Sequence, residues 1–269
     1  MTAARPDVSP RNLIITLYGA FIRDFGGWLA VADLVRLLDV VDVDGPAARS
    51  AINRLKQQGL LEREARRQRP GYRASPVLLH MLADGDARIF DSARGADIAD
   101  GWLIVVFTVP EAERDRRHVL RTRLHALGCG PMSPGVWIAP RRAEADIRRM
   151  LLDLALDRYV SMFAGDYVGF AAVERLAEAW DVGPLRRHYQ RFLTRHRRAS
   201  ELGARSPEAA FRHYVALLDG WRHLVFEDPG LPDSLTPHAA LRHEAFELFT
   251  ASAVALGGPA TAFAAGVIG

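Results

Sequence analysis

Residues 44–73 constrain the fold of this chain more than any other stretch. Pro46 suits the first turn of a helix, and Gly59 suits the position just past its end. Between them, apolar residues recur at i, i+3, i+4 and i+7, namely at Ala48, Ala51, Ile52 and Leu55. This spacing predicts a short helix that buries one narrow face in a core.

The opposite face of this helix is polar and cationic. Its side chains, which can contact phosphates or base edges, are Arg49, Ser50, Asn53, Lys56 and Gln57. After the helix we predict a basic two-stranded hairpin with its tip at 68–71. Residues 45–75 contain eight Arg or Lys and two Glu, although the net charge of the whole chain is only +3. A cationic helix face beside a cationic hairpin is what a winged helix presents to DNA.

Neighbouring elements complete this pattern. A helix is predicted from Ser9 and Pro10, with the Ser9 hydroxyl as its cap, to near 25–27. The next elements are a short extended segment, a second helix and a turn, at 28–31, 31–38 and 40–44. Another helix, capped by Ser75, follows the hairpin. We therefore predict a winged helix-turn-helix DNA-binding domain over residues 1–90.

Composition bounds the rest of the chain. Its 269 residues suit two or three domains, and 49% hydrophobic with 25% charged residues is ordinary for a globular protein. The single cysteine, Cys129, excludes an intrachain disulfide and a zinc module of the CxxC type. We identify no apolar run of 18 residues and no signal peptide, so we expect a cytoplasmic protein without membrane contact.

A linker is predicted at 91–100, and a second domain at 98–165. Residues 102–107 form an apolar run typical of a buried strand. A helix, two strands, a helix and a strand then follow at 110–128, within 130–139, from Pro140, and at 159–163. The inner face of the first of these helices is expected to hold Val119, Leu120, Leu124 and Leu127. This order is the split βαβ, or ferredoxin-like, pattern, and we expect the domain to mediate dimerisation.

From residue 170 onward every pattern is helical, so a helical C-terminal domain is predicted over 166–269. Its helices are expected at 170–180, at 183–200, from a Ser206 cap to 224, and at 238–253. The tail after Leu256 holds small residues and glycine, and we expect it to fray. The predicted fold class is therefore α+β.

Short motifs spread over nearly the whole chain carry a family resemblance. In the first part they are Leu17-Tyr18-Gly19, Trp28-Leu29, residues 49–55 and Gly59-Leu60-Leu61. In the middle they are Asp100-Gly101-Trp102, Val109-Pro110-Glu111, residues 117–121, Gly128-Cys129-Gly130 and residues 134–140. Late in the chain they are Trp221-Arg222-His223 and residues 228–232. In their order and coverage they resemble the PaaX family, bacterial transcriptional repressors named for phenylacetic acid degradation.

The resemblance implies a winged-helix domain, a ferredoxin-like domain and a helical domain. It also implies a homodimer, and release from operator DNA by an aromatic acyl-coenzyme A effector. No cofactor is implied. The chain departs from the family at Cys129, where an aromatic residue is usual, and it lacks a tryptophan after Leu235. The resemblance therefore implies no particular acyl group.

The residues expected to bind DNA lie on the helix and the hairpin. Arg49, Ser50 and Asn53 lie toward the front of the helix, where base-edge contacts usually originate. Asparagine can pair with adenine and arginine with guanine. Further contacts are expected from Arg54, Lys56 and Gln57 on the helix. On the hairpin, Arg66, Arg67 and Arg69 are expected to contact phosphate or to enter the minor groove. The alternatives are an internal partner for Arg54 and an ordinary solvated surface for the helix face.

The effector is expected to bind in the C-terminal part, through Arg186, Arg187, Trp221, Arg222 and His223. The alternatives are a charged helix surface for the arginines and interdomain packing for the tryptophan. The arginines at 114–123 favour a solvated face, with a second DNA-facing or effector-phosphate surface as the alternative. The histidines match no metal-binding spacing, so no metal site is predicted.

We thus predict a dimeric repressor, not an enzyme, that reads a palindromic operator in double-stranded DNA. The alternative is a nucleic-acid-processing enzyme, because the central fold also resembles the small CRISPR spacer-integration nuclease subunit. That family places a metal-binding aspartate at the end of its first strand, whereas residues 107–109 here carry no carboxylate. Serine-hydrolase, P-loop and dinucleotide-binding motifs are also missing from the sequence. A third interpretation is an architectural module without an effector.

Overall fold

The computed structural model of the chain describes residues 9–90, 95–170 and 173–268. It is a mixed α+β structure with two small antiparallel sheets and a helical C-terminal part. Its residues group into two compact units. Unit 1 comprises Met1–Ile89, Phe192–Arg222 and Phe246–Gly269, and unit 2 comprises Phe90–Arg191 and His223–Ala245. Residues 91–94 of the expected linker lie outside the described residues, and the three-domain division stays a prediction.

Unit 1 begins with the elements predicted around the basic stretch. They are α1 (Pro10–Leu17), a π-helical turn (Tyr18–Ile22), β1 (Trp28–Ala30), α2 (Val31–Val40), α3 (Gly45–Gln57), β2 (Leu61–Arg66), β3 (Arg69–Ala74) and α4 (Pro76–Phe90). The predicted order is confirmed. The hydroxyl cap at Ser9 is wrong, because its side chain makes no capping bond and Pro10 begins the helix. Ser75 does cap α4, since its hydroxyl accepts from the N–H of Leu78 at 3.2 Å.

The three strands form one antiparallel sheet in the order β1-β3-β2. The hairpin turns at Arg67 and Gln68, both at positive φ (49° and 64°), so the tip predicted further along is wrong. Gly71, which suggested that tip, lies within β3 instead. A Cβ atom there would come 2.5 Å from the ring of Trp28 and from the carbonyl oxygen of Leu29. This glycine therefore permits close contact between strands rather than a turn.

Unit 2 contains the strand-helix-strand-strand-helix-strand segment predicted for the middle of the chain. Its elements are β4 (Trp102–Phe107), α5 (Arg114–Ala126), β5 (Gly130–Ser133), β6 (Val136–Pro140), α6 (Glu144–Asp153) and β7 (Val160–Gly165). All neighbouring strands are antiparallel, in the order β5-β6-β4-β7. This order and pairing follow the split βαβ pattern.

The two faces of the unit 2 sheet have different environments. One face packs on α5 and α6 in a core that includes Leu103, Val105, Leu120, Leu124, Ile147 and Leu151. Val119, predicted to face inward, is 40% exposed, so that expectation is wrong. The i, i+4 pair Leu120 and Leu124 sets the buried stripe, and the preceding residue is rotated out of it. On the other face, the paired residues Ile104 and Phe163 are 37% and 58% exposed.

The rest of the chain is helical. It forms a 3₁₀ helix (Val173–Ala179), α7 (Gly183–His196), α8 (Ala199–Gly203), α9 (Pro207–Glu227) and α10 (Ala239–Ile268). The 3₁₀ helix replaces part of the α-helix predicted at 170–180, of which residues 171–172 lie outside the described residues. The expected fraying after Leu256 is wrong, because α10 continues to Ile268.

Helices α9 and α10 contribute to the core of unit 1. Phe211, Val215, Ala260 and Ala264 are fully buried there, at 0% exposure. They pack in one cluster with N-terminal residues such as Ile14, Leu17, Phe21, Leu34, Leu55 and Leu78. The small side chains of α10 allow its backbone to approach this core closely. The helical part thus completes the hydrophobic core around α1 to α4.

By length and composition alone, α10 is apolar enough to cross a membrane. The sequence-based expectation that no apolar run of 18 residues exists was therefore wrong. Leu256, Ala260 and Ala264 of this helix are buried within unit 1.

Candidate nucleic-acid interface

Helix α3 has one buried and one solvent-facing side. Its N-cap is Asp44, whose carboxylate accepts a hydrogen bond from the N–H of Ala47 at 2.8 Å. Gly59, at a φ of 70°, follows its end as predicted. The predicted apolar stripe is buried, at no more than 3% exposure for Ala48, Ala51, Ile52 and Leu55. These contacts fix which side of α3 faces outward.

All six helix residues predicted to bind DNA are exposed on the outer side: Arg49, Ser50, Asn53, Arg54, Lys56 and Gln57. Arg54 donates to the hydroxyl of Ser50 at 3.2 Å, so this pair is engaged within the helix. The guanidinium of Arg49 lies back along the helix, where a Cβ atom on Gly45 would come 3.1 Å from its Nη2. Among the described residues, the side chains of Arg49 and Asn53 have no hydrogen-bond or ion-pair partner.

The arginines of the hairpin differ in their surroundings. Arg66 donates to the carboxylate of Glu64 at 2.5 Å, and its guanidinium lies 5.3 Å from the centre of the Trp28 ring. The hydrogen bond from Arg66 lowers the pKa of Glu64. Arg69 is bound to Asp33. Arg67 lies in the turn, exposed, and makes no hydrogen bond or ion pair with any described residue.

Sequence reasoning missed three residues around this surface. Asp33, in the first turn of α2, is 2% exposed and accepts from Arg69. Trp28 donates to the carbonyl of Glu64 at 3.0 Å and thereby links β1 to β2. Arg36, also on α2, is exposed. One signal was readable, since a carboxylate on the apolar side of a helix requires a cationic partner.

The residues predicted to bind an effector are divided between the two units. In unit 2, Arg186 and Arg187 are exposed on α7, and His223 is exposed on α9. In unit 1, Trp221 is 1% exposed, and its indole N–H donates to the carbonyl of Ile89 at 2.8 Å.

Packing and an ion pair account for the two unit 1 residues of that set. The ring of Trp221 stacks on Phe249, with centroids 4.9 Å apart. Arg222 pairs with the buried Asp219 at 2.9 Å, and Asp219 also accepts from the hydroxyl of Thr16 at 3.3 Å. The packing interpretation therefore fits Trp221 well.

A shallow groove of about 730 Å³ in unit 2 lies along α5. Its lining residues are Arg114, Asp115, Arg117, His118, Arg121, Thr122, His125 and Trp137. Arg117 is held by the carbonyl of Val109 at 2.7 Å and the carboxylate of Glu111 at 3.1 Å. Neither Arg114 nor Arg121 has a polar partner among the described residues. These two cations are available to a phosphate group, so the solvated and phosphate-binding interpretations both remain open.

Residues 228–232 of unit 2 form a turn around a buried carboxylate. Asp228 accepts from the hydroxyl of Tyr189 and from the N–H of Gly230, each at 2.7 Å. Burial raises the pKa of Asp228, but the nearby His238, the charge of Arg242 and the hydrogen bonds from Tyr189 and Gly230 outweigh it and hold the pKa at about 2. This motif stabilises the loop between α9 and α10.

No group of three or more His, Cys, Asp or Glu positioned to hold a metal ion occurs among the described residues. Cys129 is 1% exposed, and burial raises the pKa of its thiol to about 12. A thiol that stays protonated is a poor nucleophile.

Known protein families match this chain along nearly its whole length. Residues 9–77 match the model of the PaaX-like protein, and residues 95–177 match that of the PaaX protein central Cas2-like domain. Residues 180–266 match the model of the PaaX-like protein C-terminal domain. The chain belongs to the PaaX family.

The chain is also similar to a named PaaX repressor and to a solved structure. The chain is 26% identical over 254 residues to the transcriptional repressor PaaX of Escherichia coli strain K12, a match that covers 90% of the chain and 78% of that repressor. An uncharacterized protein, Rv0674 from Mycobacterium tuberculosis, has a similar solved structure, with a TM-score of 0.57 and 22% identity. That match covers 93% of this chain and 98% of Rv0674, and at this identity it shows the fold alone.

Proposed function

We propose that this PaaX-family protein is a DNA-binding transcriptional repressor with an N-terminal winged helix-turn-helix. In this proposal α3 enters the major groove, and the β2–β3 hairpin contacts the flanking backbone. The outer face of α3 carries the argument. Arg49 and Asn53 are exposed on it without polar partners in the described chain, while the opposite face is fixed in the core. Such side chains, presented on a rigid helix, suit base-edge readout.

The charge of the same region supports binding to the DNA backbone. Residues 45–75 carry eight cations and two carboxylates. Each phosphate contact releases a condensed counterion, so the logarithm of the binding constant falls by about 0.9 per contact for each unit of log salt concentration. We expect this dependence on every duplex, with sequence preference supplied by Arg49 and Asn53.

The protein is proposed to bind a palindromic operator as a homodimer in the cytoplasm. The exposed apolar pair Ile104 and Phe163 lies on the face of the unit 2 sheet opposite α5 and α6, beside a part of that face that Leu176, Leu231 and Leu235 cover, and it supports an interface with a second copy. A two-fold dimer would place two copies of α3 in successive major grooves, about 34–36 Å apart or a multiple of that.

An acyl-coenzyme A or a related anionic metabolite is proposed to release the operator. Exposed cations in unit 2 support this idea, both at Arg186 and Arg187 on α7 and at Arg114 and Arg121 in the α5 groove. Such a ligand acts as an effector only if it binds the DNA-free conformation more tightly than the DNA-bound one.

The test measures the affinity of the protein for the DNA upstream of its own gene and for a scrambled duplex of equal length and composition. We expect at least tenfold tighter binding to the upstream duplex at physiological salt. Aromatic and aliphatic acyl-coenzyme A thioesters are then added, with free coenzyme A as the control. Equal affinity for the two duplexes contradicts the proposed function. A preserved preference that no thioester weakens contradicts only the effector.

A further inference from the structure

We propose that Asp33 and Arg69 form a latch that fixes the hairpin against α2, and that Arg67 makes the hairpin's phosphate contact. This inference rests on the proposed DNA-binding function. It assigns a positioning role to an arginine that the sequence pattern places among the DNA contacts. Asp33, outside the basic stretch, becomes a determinant of DNA affinity.

The geometry of the latch is specific. Nη2 of Arg69 donates to both carboxylate oxygens of Asp33, at 2.7 and 2.6 Å. The side chain of Asp33 is 3% exposed, and that of Arg69 is 48% exposed. Asp33 lies in the first turn of α2, and Arg69 is the first residue of β3. The pair therefore connects the base of the hairpin turn to the helix that precedes α3.

Arg66, on the other side of the turn, is also held by contacts within unit 1. Arg66 pairs with Arg69 in the β2–β3 register, bonds Glu64 and lies over the ring of Trp28. Both ends of the turn are thus anchored by contacts within unit 1. The turn itself presents Arg67 outward, with no polar partner in the described part of the chain.

Electrostatics argue against transfer of Arg69 to a phosphate. A carboxylate buried like that of Asp33 is strongly destabilised when its cationic partner leaves. The charge of Arg69 is already balanced in the free protein, so it adds no new neutralisation when DNA binds. Arg67 brings an unbalanced charge. The two arginines should therefore differ in the salt dependence of binding, which reports the number of phosphates neutralised.

The experiment measures operator affinity against salt concentration for Asp33→Asn, Arg69→Gln, the double variant Asp33→Asn/Arg69→Gln, and Arg67→Gln. Arg148→Gln, an exposed arginine on α6 of unit 2, is the charge-matched control. Affinities are calculated per folded protein from thermal melts of each variant. The operator is used at full length and with its flanking base pairs removed, because those pairs lie where the hairpin would bind.

The latch predicts that the two single variants lose equal operator affinity and that their losses do not add in the double variant. Asp33→Asn and Arg69→Gln should each weaken binding roughly tenfold, and the double variant no further, as for residues that act as one pair. Their salt slopes should stay at the wild-type value, whereas Arg67→Gln should reduce the slope by about 0.9. Because the loosened hairpin still reaches the flank, at a cost in affinity, removing the flanking pairs should weaken the wild type roughly tenfold more than the latch variants. A residue that only stabilises the fold would leave that flank dependence intact.

Arg69→Lys provides a further variant. If Asp33 and Arg69 act as a latch, Arg69→Lys should bind the operator almost as tightly as the wild type when Asp33 is present. In the Asp33→Asn background, Arg69→Lys should bind no more tightly than Arg69→Gln. If Arg69→Lys binds more tightly than Arg69→Gln in both backgrounds, Arg69 contacts phosphate and the latch is overturned. The same follows if the salt slope falls for Arg69→Gln while Asp33→Asn binds like the wild type. Additive losses overturn it too. If the wild type shows no operator preference, the proposed function fails and the latch fails with it.

Discussion

Phe21 packs against Phe211 with ring centroids 5.3 Å apart, which places the π-helical turn after α1 and helix α9 in one core. Phe263 of α10 also packs against Phe211, with centroids 5.2 Å apart. The candidate DNA-binding region therefore depends on residues nearly two hundred positions away in sequence.

The Phe211→Ala variant tests this shared core. Phe211 is 0% exposed, so truncation should leave a cavity and lower the free energy of unfolding by about 3–5 kcal/mol. Urea unfolding followed by circular dichroism measures the loss. Phe226→Ala, at a position on α9 that is 42% exposed, is the matched control and should cost about 1 kcal/mol. Equal losses at the two positions would contradict the core assignment.

The C-terminal part of α10 is expected to stabilise the fold. Ala264 is 0% exposed, so Ala264→Asp buries an unpaired carboxylate and should lower stability by roughly 2 kcal/mol or more. Ala262 is exposed on the same helix, and Ala262→Asp should change stability by less than about 0.5 kcal/mol. Thermal unfolding of both variants gives the comparison. A frayed tail would tolerate both changes alike.

Acid should destabilise unit 1 through His196. Burial, together with the charges of Arg195 and His213, lowers the pKa of His196 to about 4. An unfolded histidine titrates near 6.5, so between about pH 6.5 and 4 the unfolded chain binds a proton that the folded chain does not. The free energy of unfolding should therefore fall as the pH falls through this window, by on the order of 3 kcal/mol.

His196→Leu isolates this contribution, because carboxylates also titrate at the acid end of the window. Urea unfolding of the variant should show a shallower pH dependence across that window than unfolding of the wild type. Parallel curves would show that folding does not lower the pKa of His196.

The exposed apolar part of the unit 2 sheet, at Ile104 and Phe163, is expected to bind a second copy. Phe163→Ser removes the largest exposed apolar side chain there and should weaken dimerisation by at least tenfold, from roughly 2 kcal/mol of lost apolar burial. Light scattering over a concentration series measures the dimer fraction. Leu152→Ser, at a position on α6 that is 62% exposed, serves as the control. A dimer that weakens only with Leu152→Ser would place the interface on the helical face.

The sequence was informative wherever structure is decided locally. The apolar spacing of α3, the Pro46 start and the Gly59 end all act within a few residues. The alternation of apolar runs and amphipathic helices likewise predicted the order of strands and helices in unit 2. Motifs spread along the chain predicted the family.

Features decided by distant residues were missed. Pro70 and Gly71 are typical turn residues, yet the chain turns earlier, and Gly71 instead packs closely on Trp28 of β1. The small residues of α10 led us to predict fraying. In the structure they pack closely against a core of residues distant in sequence, which sequence periodicity does not reveal. The partner of Arg69 lies 36 positions away, so the charge pattern alone could not separate Arg69 from Arg67.

The central claim is that the outer face of α3 reads base sequence, and the most direct measurement is the affinity of Arg49→Ala and Asn53→Ala for operator and for random duplex. Each variant should lose roughly 1–3 kcal/mol on the operator and little on random DNA. Lys56→Ala, a charge-removing control on the same face, should weaken both duplexes alike. Equal losses on the two duplexes for Arg49→Ala and Asn53→Ala would contradict base reading by α3.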